Sequence, residues 1–150
     1  MTMTNEHDIP PDFWRMVPHL YAERMARPQG SWKAWDYLHL IGTAVYEAIA
    51  KGMKPGQQGG RLIVSAPPRH GKSEFISKWV PIWYLDTYPN RNVILTSYGA
   101  EYAAEWGRKV RNEITDNDEI DLDISEDSAA ANRWHTSHGG GMIRVVDARS

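Results

Sequence analysis

The segment Arg61-Leu-Ile-Val-Ser-Ala-Pro-Pro-Arg-His-Gly-Lys-Ser73 constrains this chain more than any other stretch. A short apolar run ends in a Pro-rich turn, Gly71-Lys72-Ser73 follow, and a helical pattern comes next. Strand, loop and helix in that order are the layout of a phosphate-binding P-loop. Such a loop works because successive backbone N–H groups converge on one anion, and the helix N-terminus adds its dipole and unpaired donors. Gly71 lets the backbone approach phosphate without a Cβ clash. Lys72 reaches the β- and γ-phosphate oxygens as a mobile point charge. The Ser73 hydroxyl is the expected Mg²⁺ ligand. The strict pattern G-x-x-x-x-G-K-[ST] carries Gly where this chain has Ala66, so the match is relaxed. Arg69 is either a solvent-facing loop residue or a cation acting on the phosphates, as arginine fingers do. His70 lacks a nameable orienting partner for a role as catalytic base.

The pattern on either side predicts an α/β chain. Residues 1–12 are polar with Pro10-Pro11 and read as a loose end. A short helix is expected over Phe13–Arg27. A second is expected from an N-cap at Ser31 to a stop at Gly52, with Trp35, Leu38, Ile41, Val45, Ala48 and Ile49 spaced at three and four. Arg61–Ala66 is expected as a strand buried on both faces. Gly71–Leu85 is expected as a helix that Pro81 kinks or splits. Asn92–Tyr98 reads as a second buried strand and Gly99–Ile114 as a further helix with Tyr102, Ala103, Trp106 and Val110 on one face. This alternation implies βαβ units and a parallel sheet. Residues 113–127 hold eight carboxylates and no Lys or Arg. A calcium loop fails there because Ile120 falls at position five and no Gly at six, so a solvated, mobile loop is expected. His138–Asp147 reads as a Gly hinge followed by a third strand.

With 150 residues the chain suffices for one domain with a core. Its formal net charge of −2 supplies no global basic field for nucleic acid or an anionic membrane. The absence of Cys excludes disulfides and thiolate metal sites. No apolar run approaches the roughly 20 residues of a membrane span, and Met1–Asp8 lacks the features of a signal peptide. A cytosolic protein is the expectation. The seven Trp residues are read as core and interface packing rather than base-stacking platforms.

Several segments together resemble the large terminase subunit of tailed bacteriophages, the ATP-driven DNA-packaging motor. Ala66-Pro-Pro-Arg-His-Gly-Lys-Ser-Glu74 resembles that family's variant Walker A loop, which often lacks the first Gly. Trp79-Val-Pro-Ile-Trp83 with Tyr88-Pro89 resembles the helix and turn that follow it. Val93–Ala104 with Gly107-Arg-Lys-Val-Arg111 looks like the next strand and helix. Trp134-His-Thr-Ser-His-Gly-Gly140 resembles a Trp-x-Thr…Gly-Gly stretch. The resemblance runs from about residue 31 to 141. It implies a P-loop ATPase fold of the additional-strand class, with ATP and Mg²⁺ as cofactors. The nucleotide would be held by Ala66, Pro67, Pro68, Arg69, His70, Gly71, Lys72, Ser73 and Glu74. Lys72 and Arg69 would be the catalytic cations and Ser73 the Mg²⁺ ligand. Further implications are double-stranded DNA as cargo, the small terminase subunit and the portal as partners of the full-length protein, and a cytoplasmic location in a phage-infected or lysogenic host cell. His39 is a weak candidate for the adenine contact; otherwise it is a helix-surface residue.

After Gly141 the text departs from the family, whose Gly-rich segment and acidic Walker B strand would come next. Asp147 imitates a Walker B end but lies too near the Gly-Gly, with no second acid after it. The expectation is residues 1–30 as an extension and 31–150 as the N-terminal part of an ATPase domain, ended early before Walker B, with no nuclease domain. ATP binding is then expected to be weak and hydrolysis very slow for want of a water-activating carboxylate. Two other readings stay open. One is a different P-loop enzyme, a nucleotide kinase or helicase fragment. The other is a non-catalytic remnant or interaction module.

Overall fold

The computed structural model describes residues 10–30, 32–69, 71–127 and 133–146, and these form an α/β structure. The chain divides into two compact units, Met1–Ser65 and Ala66–Ser150. Ser31, His70 and Asp147, which the sequence singles out, lie outside the described residues.

The first unit is helical. A 3₁₀ turn at Phe13–Met16 leads into α1 (Pro18–Ala26), where Pro18 occupies the first helical position. Pro suits that position, since its missing N–H has no intrahelical acceptor there. A second 3₁₀ turn, Arg27–Gln29, ends at Gly30 with φ 63°. Then α2 (Asp36–Gly52) begins later than the Ser31 cap implied, with Trp35 at its N-cap and Asp36 in its first turn. It stops at Gly52 as expected. Leu38 and Val45 are buried against this unit's core with Tyr21, Ala22, Met25 and Ala26. The two helices meet at His19, whose ring lies 4.8 Å from that of His39. Gly42 allows this approach: a Cβ there would overlap the His19 ring.

Burial, and secondarily repulsion from His39, holds the His19 imidazole below its ordinary pKa. The neutral ring is therefore favoured by folding, while the unfolded chain binds a proton near pH 6.5. The stabilisation is complete above that pH and is lost as pH falls towards the lower folded-state value. Urea midpoints measured between pH 7.5 and 5.5 should fall with acidification, and His19→Gln should flatten the slope. An unchanged slope in the variant would assign the acid sensitivity elsewhere.

Arg61–Ala66, expected as a buried strand, forms no strand ladder. Leu62 is 42% and Ile63 95% exposed, so the run has the apolar content of a core strand without the neighbours that bury one.

In the second unit, helical structure runs from Lys72 to Thr87 in three parts: α3 (Lys72–Glu74), a π turn (Phe75–Trp79) and α4 (Val80–Thr87). Pro81 explains the middle part. Its ring has no N–H and collides with the carbonyl four residues back in a regular helix. Here the Val80 N–H reaches back five residues to the Phe75 carbonyl, and the widened turn absorbs Pro81 without breaking the helix. Phe75, Trp79, Ile82, Trp83 and Leu85 are fully or almost fully buried.

The Tyr88–Arg91 turn leads to β1 (Asn92–Ser97), and α5 (Ala100–Asp116) follows. Ala103, Trp106, Val110 and Ile114 give α5 its buried face. The sheet has order β1-β3-β2, with β2 at Arg133–His135 and β3 at Gly141–Val146. It is mixed rather than parallel: β3 runs parallel to β1 but antiparallel to β2. Among the described residues β1 is an edge strand with alternating exposure, not the doubly buried strand its composition implied, and Ile94 is 62% exposed.

The expected Gly hinge is a tight hairpin turn between β2 and β3. Gly139 has φ 87°. The Gly140 and Gly141 N–H groups donate to the Pro89 and Arg91 carbonyls, each at 3.1 Å, and the Thr136 hydroxyl donates to the Pro89 carbonyl at 2.8 Å. A Cβ on Gly140 would fall onto the Pro89 and Arg91 carbonyl oxygens. Gly140→Ala must therefore move backbone and is expected to lower the stability of the second unit by about 1–3 kcal/mol, read by denaturant unfolding. The acidic stretch is likewise held in place. Ile120 and Leu122 are buried, Ile124 bridges Thr136, and the Ser125 and Ser137 N–H groups donate to the His135 and Asp123 carbonyls.

Candidate functional site

The loop before α3 is shaped by two left-handed residues. Arg69 has φ 65°, the one positive φ outside glycine among the described residues, and Gly71 has φ 76°. Gly takes that conformation without penalty; Arg does so at a cost that the surrounding loop must sustain. Gly71 is the N-cap of α3 and offers no side-chain acceptor. The first intrahelical bond runs from the Phe75 N–H to the Gly71 carbonyl at 2.9 Å. The amides of Lys72, Ser73 and Glu74 precede it and have no helical carbonyl to receive them. They head a helical run of four turns, which presents partial positive charge at this end.

Lys72 closes the loop. Its Nζ donates to the Ala66 carbonyl at 3.3 Å, spanning from the first turn of the helix to the start of the Pro-rich segment. That bond is long for an ammonium donor, so exchanging it for an anionic oxygen is favourable. Pro67, Pro68, Arg69 and Ser73 are solvent-exposed, and Lys72 and Glu74 half-buried. The structure thus brings Ala66, Gly71, Lys72 and Ser73 into one loop–helix junction. It places His39 in the other unit, against His19.

The donor set fits a polyphosphate with a hard cation: consecutive amides, one ammonium within reach and one accessible hydroxyl. Among the described residues no group of His, Cys, Asp or Glu is placed to hold a metal on its own. No described helix is long and apolar enough to cross a membrane.

No protein-family model, curated protein or solved structure matches the chain. The function must be argued from the site itself.

One polar arrangement near the loop was missed at the level of sequence. Lys78, in the π turn, forms an ion pair with Glu113 of α5, Nζ to Oε2 3.0 Å, and both side chains are buried. Asn117 Nδ2 donates to Glu113 Oε1 at 2.9 Å, and the Lys78 ammonium lies 4.3 Å from the Trp79 ring centre. The signal was present. Lys78 interrupts the apolar series Phe75, Trp79, Ile82, and Glu113 interrupts Val110, Ile114. Two opposite charges on core-facing stripes of two helices are expected to find each other.

Proposed function

We propose that the loop at residues 66–74 binds ATP with Mg²⁺, and that the chain is the ATP-binding portion of a terminase-like DNA-packaging ATPase. The observation that carries the binding reading is the Lys72 ammonium folded over a loop whose helix opens with uncapped amides behind a left-handed Gly71. Gly71 and the amides of Lys72–Glu74 would receive phosphate oxygens, and Lys72 would leave the Ala66 carbonyl for them. Ser73 would hold the cation, which supplies charge neutralisation of the phosphate oxygens. Arg69 stands on the exposed side of the same loop as a second cation. The Lys78–Glu113 pair ties the π turn that follows α3 to α5.

The packaging role rests on the motif resemblance, extending from the loop through Trp79–Trp83, Val93–Arg111 and Trp134–Gly140. The structure gives the last of these a local task, since Thr136, Gly140 and Gly141 join the hairpin to the Pro89–Arg91 turn. Under this reading double-stranded DNA, the small terminase subunit and the portal are partners of the whole machine. Titration calorimetry with Mg²⁺–ATP and a non-hydrolysable analogue tests the binding claim. Saturable binding that weakens when Mg²⁺ is chelated is expected; absence of binding at millimolar nucleotide would refute it.

A further inference from the structure

β1 lies at the outside of the sheet, and its ladder to β3 shows which of its backbone groups are already used. Asn92 is in register with Gly141, and the Gly141 N–H donates to the Arg91 carbonyl. In a parallel ladder this bond fixes the alternation for the whole strand. Arg91 by its carbonyl, and Val93, Leu95 and Ser97 after it, bond to β3. Asn92, Ile94 and Thr96 turn their amides and carbonyls to the open edge, where no described residue bonds them. The same three residues are the exposed ones of the strand, Ile94 at 62%, while Val93, Leu95 and Ser97 are half-buried. Beyond the strand Tyr98, 91% exposed, stacks its ring on Tyr102 of α5 and so turns towards the helix.

Edge strands of folded proteins are commonly blunted by charge, Pro or a bulge. Asn92–Ser97 contains no charged residue and no Pro, and its register to β3 runs unbroken. The edge is left ready to pair.

We propose that β1 pairs antiparallel with β1 of a second copy, about a two-fold axis at Ile94. The outward row is symmetric about its middle residue, so one register satisfies all of it. Ile94 exchanges both its hydrogen bonds with Ile94 of the second copy, and Asn92 exchanges both with Thr96 at either end. A register shifted along the strand leaves an outward residue of each copy unpaired. Charge favours the same register. Arg91 falls opposite Ser97 of the second copy, so the two Arg91 residues stand at opposite ends and no like charges face each other. The exposed Ile94 side chains meet across the axis. The contact is isologous and closes at two copies. One strand pair is small for an interface, so the dimer is reversible, with a dissociation constant on the order of 10–100 μM. The pairing does not depend on the loop at 66–74 and stands whether or not that loop binds ATP.

Sedimentation equilibrium of the whole chain should show a monomer–dimer equilibrium. Ile94→Lys sets two ammonium groups face to face and should weaken the dimer by about tenfold or more. Thr96→Pro removes an outward N–H without touching the ladder to β3 and should also weaken it. Ile63→Lys, on the exposed apolar run before the loop, should leave it unchanged. Circular dichroism checks that each variant is folded. The chain has no Cys, so single Cys substitutions report the register. Hydrogen-bonded residues across an antiparallel pair have Cα atoms about 5.5 Å apart, within disulfide range. Ile94→Cys should therefore form a disulfide-linked dimer on oxidation. Asn92→Cys should not, because each Asn92 faces Thr96 and the two thiols lie beyond the roughly 7 Å that a disulfide spans. A monomer at several hundred micromolar, open-ended aggregates in place of a dimer, an undiminished dimer in Ile94→Lys, or equal cross-linking of Asn92→Cys would each overturn the proposal. Loss of the dimer in Ile63→Lys with retention in Ile94→Lys would overturn it in favour of Arg61–Ala66 as the pairing segment.

Discussion

Lys72→Ala is expected to abolish measurable Mg²⁺–ATP binding at the loop while leaving the fold intact. Lys72 is half-buried, and among the described residues its ammonium bonds the Ala66 carbonyl of the same loop. Removing it takes no side chain from the core. A charge-assisted hydrogen bond contributes about 1.5–3 kcal/mol, and a lysine meeting two phosphate groups makes more than one. A loss of about a hundredfold in affinity is the lower expectation, each tenfold being about 1.4 kcal/mol. Lys72→Arg should not restore it, because a planar fork cannot thread the space between the loop backbone and the phosphates as a compact ammonium does. Calorimetry on the parent and both variants checks this, with thermal unfolding as the control. Unaltered Mg²⁺–ATP binding in Lys72→Ala would remove the loop from the function and favour the reading of the chain as an interaction module.

The same residues show how far the sequence could be read. The span of α5 and the end of α2 follow closely from apolar spacing at three and four, whereas α2 begins at Asp36 rather than after Ser31, and β1 was legible in extent from its apolar run but not in its exposure. The run Leu62-Ile63-Val64 misled. Apolar composition on both parities reports what a strand could bury, and burial also needs partner strands, which Arg61–Ala66 lacks. β2 escaped notice because its three residues carry no period of their own. It exists through its pairing with β3 and through the turn at Gly139–Gly141. Pro81 was legible as a disturbance of the helix, but a π turn cannot be told from a kink without knowing how tightly Phe75, Trp79 and Trp83 hold the two halves in one core. Lys72 and Gly71 were placed correctly at the head of a helix, since Gly-Lys-Ser before an amphipathic run is a local signal. The stacking of Tyr98 on Tyr102 depends on the direction in which the chain leaves β1, which apolar spacing does not report.

The largest stability change is expected at Lys78 and Glu113. Their ion pair is buried between the π turn and α5. Taking two charges out of water costs several kcal/mol for each ion, and their attraction offsets this only while both are present. Lys78→Met leaves Glu113 buried with Asn117 as a neutral partner, and Glu113→Leu leaves an ammonium over Trp79. Either single change should destabilise the second unit by about 3–5 kcal/mol. The double variant Lys78→Met/Glu113→Leu should recover most of that loss, because apolar side chains of similar volume fill the space without a desolvation penalty. Denaturant unfolding of the four proteins forms a double-mutant cycle whose coupling energy measures the pair directly. Single variants losing less than about 1 kcal/mol would mean that water reaches the pair in solution. The cycle also bears on the loop. The pair anchors the π turn that follows Lys72–Glu74, so single variants that stay folded should bind Mg²⁺–ATP more weakly, and the double variant should regain affinity together with stability.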